Sequence, residues 1–363
     1  MARLLQGRNG TLRILKAIAS FAALTMLLAA CSSDESTEEF AGSGTTSEVR
    51  YANAFGTYHG LVYVPALVGR DQPAPLVVVL HGANTTAEQM QAFSRFNPLA
   101  RREGFIVLYP DHETDSQVGL HPLQSWHFPD PLEQQRGFGD AEAIAELTQQ
   151  VMQAWKVDPQ RVYIVGVSAG GWMTSIMGAA YPDLYAAIGV VEGGGYGIGL
   201  AGFAQPVGAQ VVRPEVTALM AYNAMGSHAR VVPVINFQGD QDVAVPPETG
   251  AHAVQQWLMT NNLVESGGFY APFPLTPTET VGVTPAIGYP FEVDIYRDAE
   301  GCRVLEQVRV EGLAHFWPGG SDDSRYAGFT DPLAPNAAEM SWAFLKRFRL
   351  SDTASPCVES GRP

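Results

Sequence analysis

The chain has 363 residues, enough for one large α/β domain with tails or for two small domains. Its hydrophobic share of 46% and charged share of 16% are those of a globular protein. The formal net charge of −15 argues against nucleic acid or an anionic lipid surface as partner.

Residues 1–30 carry Arg3, Arg8, Arg13 and Lys16 and no acid, so their removal takes the formal charge from −15 to −19. Basic residues up to Lys16, followed by an apolar run over 17–30, have the layout of an export signal peptide. The run is too short for an ordinary membrane span. It ends Leu28-Ala29-Ala30-Cys31, which resembles the bacterial lipobox, where the cysteine is lipidated and becomes the first mature residue. Acyl chains on Cys31 would anchor the protein to a membrane without spanning it. A plain cleaved signal with a chance cysteine is the alternative. The expected location is the cell surface or the periplasmic side of a membrane, otherwise the extracellular space. After Cys31, residues 32–48 are rich in Ser, Thr, Gly, Asp and Glu and have little to bury. The spacing predicts a flexible tether over 31–49, a folded domain over 50–350 and a short tail over 351–363.

Within the domain, 58–65 partly alternates and is expected to be an early strand. Residues 76–80 (Leu-Val-Val-Val-Leu) form a continuous apolar run, the mark of a strand buried on both faces. It leads into His81-Gly82-Ala83-Asn84. A helix is expected over about 87–103 and a strand over 105–109. Residues 110–139 are a long loop with Trp126, Phe128, Pro129 and Pro131; loops of that length in a compact domain usually carry function or move. Asp140 can cap a helix reaching about Trp155. Residues 162–167 form a buried strand, followed by a helix with Met173, Ile176, Met177 and Ala180 at helical spacing. A strand is expected over 186–191. Residues 192–228 are Gly-rich and then apolar without a clean period, a cap or excursion. Further strands are expected over 231–238, 291–297 and 304–310, helices over 249–261 and 336–348, and loop over 276–290. Strands and helices alternate, and the central strands are apolar throughout. That pattern predicts an α/β fold with a mostly parallel sheet covered by helices on both faces.

Gly166-Val167-Ser168-Ala169-Gly170 joins a strand to a helix, the context in which Gly-x-Ser-x-Gly carries chemistry. Ser168 would sit on a strained turn with its hydroxyl exposed, and the small residues around it let strand and helix approach. A free serine hydroxyl is a weak nucleophile and needs a base, which in turn needs an orienting carboxylate. His315 follows a strand in a loop with glycine and proline. Its competitors fit less well, since His252 lies inside an expected helix and His228 precedes a strand. Asp240 and Asp242 both follow the 231–238 strand and spacing alone does not separate them; either is otherwise a turn aspartate bonding its own backbone. The Ala169 N–H at the helix start and the Ala83 N–H in the loop after 76–80 are candidate donors to an oxyanion, with Asn84 next after Ala83. His81 is expected to hold loop backbone. Trp126, Phe128 and Trp317 are candidates for a substrate pocket, with core packing the alternative. His121 and His127 are expected to be surface histidines. No metal-ligand spacing or nucleotide-binding glycine loop is evident, so no metal and no cofactor are expected. Glu192-Gly193-Gly194-Gly195 is read as loop.

These segments together resemble the polyhydroxybutyrate depolymerase-type esterases, secreted α/β-hydrolases that include feruloyl and acetylxylan esterases. The matching stretches are Tyr-Val-Pro at 63–65, Pro-Leu-Val-Val-Val-Leu-His-Gly at 75–82, Ser-Trp at 125–126 and Arg-Gly-Phe-Gly-Asp at 136–140. They continue with Gly-Val-Ser-Ala-Gly-Gly-Trp-Met-Thr at 166–174, Gly-Asp-Gln-Asp-x-x-Val at 239–245 and Gly-Leu-Ala-His-Phe-Trp-Pro-Gly-Gly at 312–320. The resemblance implies Ser168 as nucleophile, His315 as base and Asp242 rather than Asp240 as acid. It also implies a serine carboxylesterase needing no cofactor, with an ester as its partner. The chain departs from the family in three places. Ala83 stands where the family often has a cysteine, Gln238-Gly239 replaces the usual His-Gly before the acid, and only a short tail follows the last expected helix. The last departure favours soluble esters or oligomers over solid polymer. Of three cysteines, Cys302 and Cys357 remain once Cys31 is lipidated. In an oxidising compartment they are expected to form a disulfide pinning the tail, with two free thiols the alternative. Two other functions share these features: a serine peptidase of the prolyl-oligopeptidase kind, against which no β-propeller precedes the domain, and a surface lipoprotein that binds without catalysis. The sequence leaves the oligomeric state open.

Overall fold

Apolar runs whose alternate side chains must all leave water can only lie between two covering layers. Four such runs make the middle of the protein, which is a computed structural model describing residues 44–69, 72–113, 125–202 and 212–351. The segment expected to be a signal peptide with a lipobox at Cys31, most of the segment expected to be a tether, His121, and the residues after 351 with Cys357 lie outside the described residues. Strands β3 (Ala74–Leu80), β4 (Ile106–His112), β6 (Ala187–Val191) and β7 (Val234–Gly239) are buried along their whole length, so both faces of the sheet are covered. With β5 (Val157–Val167) and β10 (Arg303–Val310) they form six parallel strands in the order β4-β3-β5-β6-β7-β10. Antiparallel strands close each side. These are β1 (Thr45–Asn53) and β2 (Gly56–Val64) beside β4, and β9 (Phe291–Arg297) and β8 (Glu279–Val283) beside β10. The expected α/β class and mostly parallel sheet are what the structure has.

The chain moves from β3 outward to β4 and then back across to β5 on the other side of β3. The loops after β3 and β5 therefore diverge. Such a reversal of strand order opens a crevice at the C-terminal ends of the strands.

Several elements differ from expectation. The helix expected over 87–103 is two helices, α1 (Ala87–Phe93) and α2 (Phe96–Glu103), with Arg95 between them at φ +65°. Pro98 lies in the first turn of α2. There its missing N–H costs nothing, whereas deeper in a continuous helix its ring would meet the carbonyl of Ser94. The strand β1 begins at Thr45, inside the segment read as tether, and is bonded to β2 along its full length. The loop expected over 276–290 contains β8, whose five residues are all exposed. The aperiodic stretch after β6 contains a helix over Pro214–Met225, labelled α5 below. The intervening helices are α3 (Gly139–Ala154) and α4 (Ala169–Ala180), and the chain continues with α6 (Pro247–Ser266) and α7 (Ala337–Leu345).

Every residue of α4 is buried, so this helix must lie close against the sheet. Gly166 and Gly170 permit that approach. A Cβ on Gly166 would stand 2.2 Å from the Gly170 carbonyl oxygen, and a Cβ on Gly170 2.4 Å from the His81 carbonyl oxygen. These neighbours are backbone atoms and cannot swing aside. Gly166→Ala is therefore expected to cost about 1–3 kcal/mol or more, seen as a fall in the denaturant midpoint. Gly104→Ala faces open space and bears only the strain of φ +78°, so its loss should be about 1–2 kcal/mol.

Candidate active site

The turn from β5 into α4 is made by one residue, Ser168, at φ +56° and ψ −121°. A non-glycine residue there costs about 1–3 kcal/mol and persists only when its surroundings hold it. The Ser168 N–H donates to the Val191 carbonyl of β6 at 2.9 Å, and its carbonyl accepts the Trp172 N–H at 3.1 Å. The hydroxyl is thus lifted above the strand ends. Ser168 Oγ lies 2.9 Å from His315 Nε2, and His315 Nδ1 lies 2.6 Å from Asp242 Oδ2. The carboxylate sets the tautomer: Nδ1–H donates to Asp242, which leaves the Nε2 lone pair for the serine proton.

Asp242 reaches His315 because the turn after β7 is fixed. Its Oδ1 accepts the N–H groups of Ala244 at 2.9 Å and Val245 at 2.8 Å, leaving Oδ2 for the histidine. Asp240, inseparable from Asp242 by spacing, is exposed and points elsewhere, its Oδ1 accepting the Gly312 N–H at 2.7 Å. The His315 loop is tied to the β7 turn by Gln241 N–H to Leu313 O at 3.0 Å. His252 is buried in α6 against Thr217, where burial pushes its ring down to about 4. His228 is half exposed beside Asp183. Neither joins Ser168.

The loop after β3 comes close to the serine. A Cβ on Gly82 would stand 3.2 Å from Ser168 Cβ, so only glycine fits there without a shift. The Gly82 carbonyl accepts from Thr85 Oγ1 at 2.7 Å and His81 Nδ1 at 2.8 Å. A trans peptide points its C=O and N–H in opposite directions, so pinning this carbonyl also aims the Ala83 N–H. Ala169 is the first residue of α4, where the N–H has no carbonyl one turn back.

A cavity of about 200 Å³ opens over these groups. Ser168, His315, Gly82, Ala83, Asn84 and Thr85 line one part, and Phe93, Phe316, Trp317 and Phe329 the rest. Trp317 is thus in the pocket wall. Trp126 is not. It is fully buried, donates from Nε1 to the His81 carbonyl at 2.9 Å and packs on the rings of His81 and His112. Its place in the sequence before the Arg-Gly-Phe-Gly-Asp stretch does not reveal that the ring turns inward to hold the loop. Phe128 likewise stacks on Trp172, away from the cavity. Phe93 and Phe329 went unread as pocket residues; an aromatic ending a short helix and another in a loop give no signal of their own.

Behind the loop lies a buried polar layer. His81 Nε2 stands 3.1 Å from Asp111. Burial opposes charge on the ring, but Asp111 and the Gly82 carbonyl outweigh it and hold the imidazole above its ordinary value. His127 is part of the same layer and not a surface residue. Its backbone N–H donates to Asp140 Oδ2 at 2.6 Å and its ring lies 3.1 Å from the same oxygen. His112 and the Tyr58 hydroxyl reach Asp140 Oδ1 at 3.1 and 3.0 Å. Burial alone would raise Asp140, yet His112 and His127 hold it far below the usual carboxylate range. Among the described residues, three sets of donor atoms each lie within 4.8 Å: His81, Asp111 and His112; His112, His127 and Asp140; Glu192, Asp242 and His315. Asp140 bonds the rings of His112 and His127, Asp242 bonds His315, and His81 Nε2 stands 3.1 Å from Asp111. Glu192, expected in a loop, is fully buried directly after β6. Its signal was present as an acid placed directly at the end of an apolar strand beside the Ser168 strand. Cys302 is buried and disulfide-bonded, while Cys357 lies outside the described residues.

A parallel sheet whose fifth strand ends in a left-handed serine, met by an acid after β7 and a histidine after β10, defines an α/β-hydrolase. The chain belongs to the Esterase PHB depolymerase family, whose model matches residues 59–271. It is 27% identical over 322 residues to poly(3-hydroxyalkanoate) depolymerase C of Paucimonas lemoignei, covering 88% of this chain and 70% of that protein. It is 29% identical over 271 residues to an acetylxylan esterase of Coprinopsis cinerea, covering 71% of this chain and 65% of that one. An acetyl xylan esterase structure from Aspergillus awamori shares the fold, with a TM-score of 0.59, 20% identity, and coverage of 74% of this chain and 94% of that one.

The depressed Asp140 has a consequence for stability. A carboxyl with a lowered folded-state pKa binds fewer protons when folded. Its contribution is present above the ordinary value of about 3.9 and is lost as pH falls below it. Wild-type Tm should therefore drop steeply below about pH 4. Asp140→Asn should be about 3–5 kcal/mol less stable at neutral pH and should lose less on acidification, as a pH series of thermal melts would read.

Proposed function

We propose that the protein is a serine carboxylesterase acting through an acyl-enzyme. The observation that carries this reading is the hydrogen-bonded line from Ser168 Oγ through His315 to Asp242, at 2.9 and 2.6 Å. Ser168 attacks the ester carbonyl while His315 Nε2 takes its proton. Asp242 keeps the imidazole in the required tautomer and offsets the charge it gains. The tetrahedral oxyanion receives the N–H groups of Ala169 and Ala83, aimed by the helix start and by the pinned Gly82 carbonyl. His315 returns the proton to the leaving alcohol, and water repeats the sequence to release the acid.

The substrates in view are short-chain esters, hydroxyalkanoate oligomers, acetylated polysaccharide and feruloyl esters. Relatives named for poly(3-hydroxyalkanoate) and acetylxylan support that set. The cavity of about 200 Å³ is below the range of about 300–1,000 Å³ that drug-sized ligands occupy. It favours acetyl or 3-hydroxybutyryl groups over a feruloyl group, with Trp317, Phe93 and Phe329 as an apolar wall.

Ser168→Ala should reduce turnover of a short-chain aryl ester by about 10⁴-fold or more, and only the wild type should label stoichiometrically with a fluorophosphonate. Asp240→Asn, outside the line, should change turnover by less than about threefold. A folded wild type that neither labels nor turns over any of the four ester classes would sink the reading. Export as a lipoprotein belongs to the same proposal, on the Leu28–Cys31 pattern. Expressed with its leader in a bacterium, the chain should incorporate labelled palmitate and sediment with membranes. Cys31→Ser should do neither.

A further inference from the structure

Glu192 is the first residue after β6, next to the strand that carries Ser168. It is fully buried and stands at φ +45°, a conformation that a glutamate adopts only when its surroundings impose it. Its backbone is held by its own N–H donating to Phe237 O at 3.0 Å. The side chain is fixed as tightly. The Gly239 N–H donates to Oε1 at 2.9 Å, and Gln238 Nε2 donates to Oε2 at 2.9 Å. Gln238 is itself held, its Nε2 also reaching the Val245 carbonyl at 2.9 Å. Among the described residues, the titratable groups facing Glu192 are Asp242 and His315, with donor atoms of all three within 4.8 Å of one another.

Two buried carboxylates at that distance do not both ionise, because each would desolvate and repel the other. Asp242 is the one that must stay charged. It already accepts from His315 Nδ1 and from two backbone N–H groups. Both side chains are fully buried, and Glu192 accepts from two groups where Asp242 accepts from three, which favours Glu192 as the one that carries the proton.

We propose that Glu192 is a positioning residue of the site: a neutral carboxylic acid, fixed by Gln238 and Gly239, whose O–H hydrogen-bonds Asp242 and holds that carboxylate ionised and aimed at His315. Burial and the neighbouring Asp242 push the Glu192 carboxyl well above its ordinary range, in agreement with this geometry. The arrangement gives Asp242 a donor that brings no charge of its own. A lysine or arginine there would compete with His315 for the carboxylate, and an ionised glutamate would raise the histidine pKa and hold it protonated. The inference rests on the reading of Ser168, His315 and Asp242 as the catalytic line.

The test compares wild type, Glu192→Gln and Glu192→Ala in hydrolysis of a short-chain aryl ester from about pH 5 to 9. Glutamine keeps the shape, a donor and neutrality. It should retain kcat within about threefold, and the acid limb of its kcat/KM profile should superimpose on that of wild type. Alanine should lose tenfold or more in kcat with KM changed less than about twofold. Were Glu192 ionised in wild type, the glutamine variant would lose a negative charge beside His315. Its acid limb would then move down by about one unit or more, and that shift overturns the proposal, as does full kcat in the alanine variant. The infrared spectrum reads the proton without activity. Wild type should show a protonated-carboxyl stretch at neutral pH that is absent from Glu192→Gln, and a spectrum without that difference overturns the proposal. If neither variant folds, Asp242→Asn serves, since removing the charged neighbour should let the same carboxyl titrate at lower pH; an unmoved titration counts against the inference. Failure of the esterase reading shows separately, as a wild type without turnover but with the infrared band intact.

Discussion

The molecule is built around one backbone constraint, the passage from β5 to α4 through a single left-handed serine. Such a turn is unfavourable in isolation and stands because strand and helix are held closer than side chains would allow. The glycines on either side of Ser168 make that approach possible, and the Val191 carbonyl completes it from the neighbouring strand. Once the hydroxyl is fixed, every other part of the site must come to it. The loop after β3 does so through Gly82. The turns after β7 and β10 do so as a pair, stitched by Asp240 N–H to Val310 O and Gln241 N–H to Leu313 O at 3.1 and 3.0 Å.

The walls behind the line from Ser168 to Asp242 use different means of surviving burial. Behind the β3 loop, histidines and aspartates alternate, and each charge finds an opposite one within hydrogen-bond distance. Trp126 lies over this layer and fixes the His81 carbonyl, so the aromatic residue serves the loop and leaves the substrate to others. Behind the acid turn, two carboxyl groups stand together, and the proton proposed for Glu192 reduces the cost of burying them. The first wall holds a peptide at the angle its N–H requires. The second holds a charge on the atom that needs it.

The legible parts of the sequence were those where burial writes a pattern. Unbroken apolar runs gave the central strands within a few residues, and chain order and strand ends narrowed the choices to Ser168, His315 and the pair Asp240 and Asp242, which only the family resemblance separated. The illegible parts have physical reasons. The edge strands β1 and β8 are held by backbone hydrogen bonds while their side chains largely face water, so composition carries no alternation there. Pro98 marked the restart of a helix, but apolar spacing on both sides disguised it. Trp126 could equally have been pocket or core from its neighbours alone. His127 carries no sign of burial in its neighbours, because its partner Asp140 lies 13 residues on, where one carboxylate holds the rings of His112 and His127 and the Tyr58 hydroxyl. Glu192 was hidden by the glycines that follow it.

The distances along the chain between the meeting groups set an order in which the molecule becomes competent. Ser168 and His315 are 147 residues apart, and the histidine arrives only on the loop leaving β10, the last parallel strand to join the sheet in sequence. Contacts so remote cost chain entropy that is recovered only when the intervening elements are in place. A chain ending at β7 would lack His315 and also part of the core, to which Val304, Leu305, Val308 and Phe344 belong. The line from Ser168 through His315 to Asp242 thus requires the parallel sheet to be complete as far as β10.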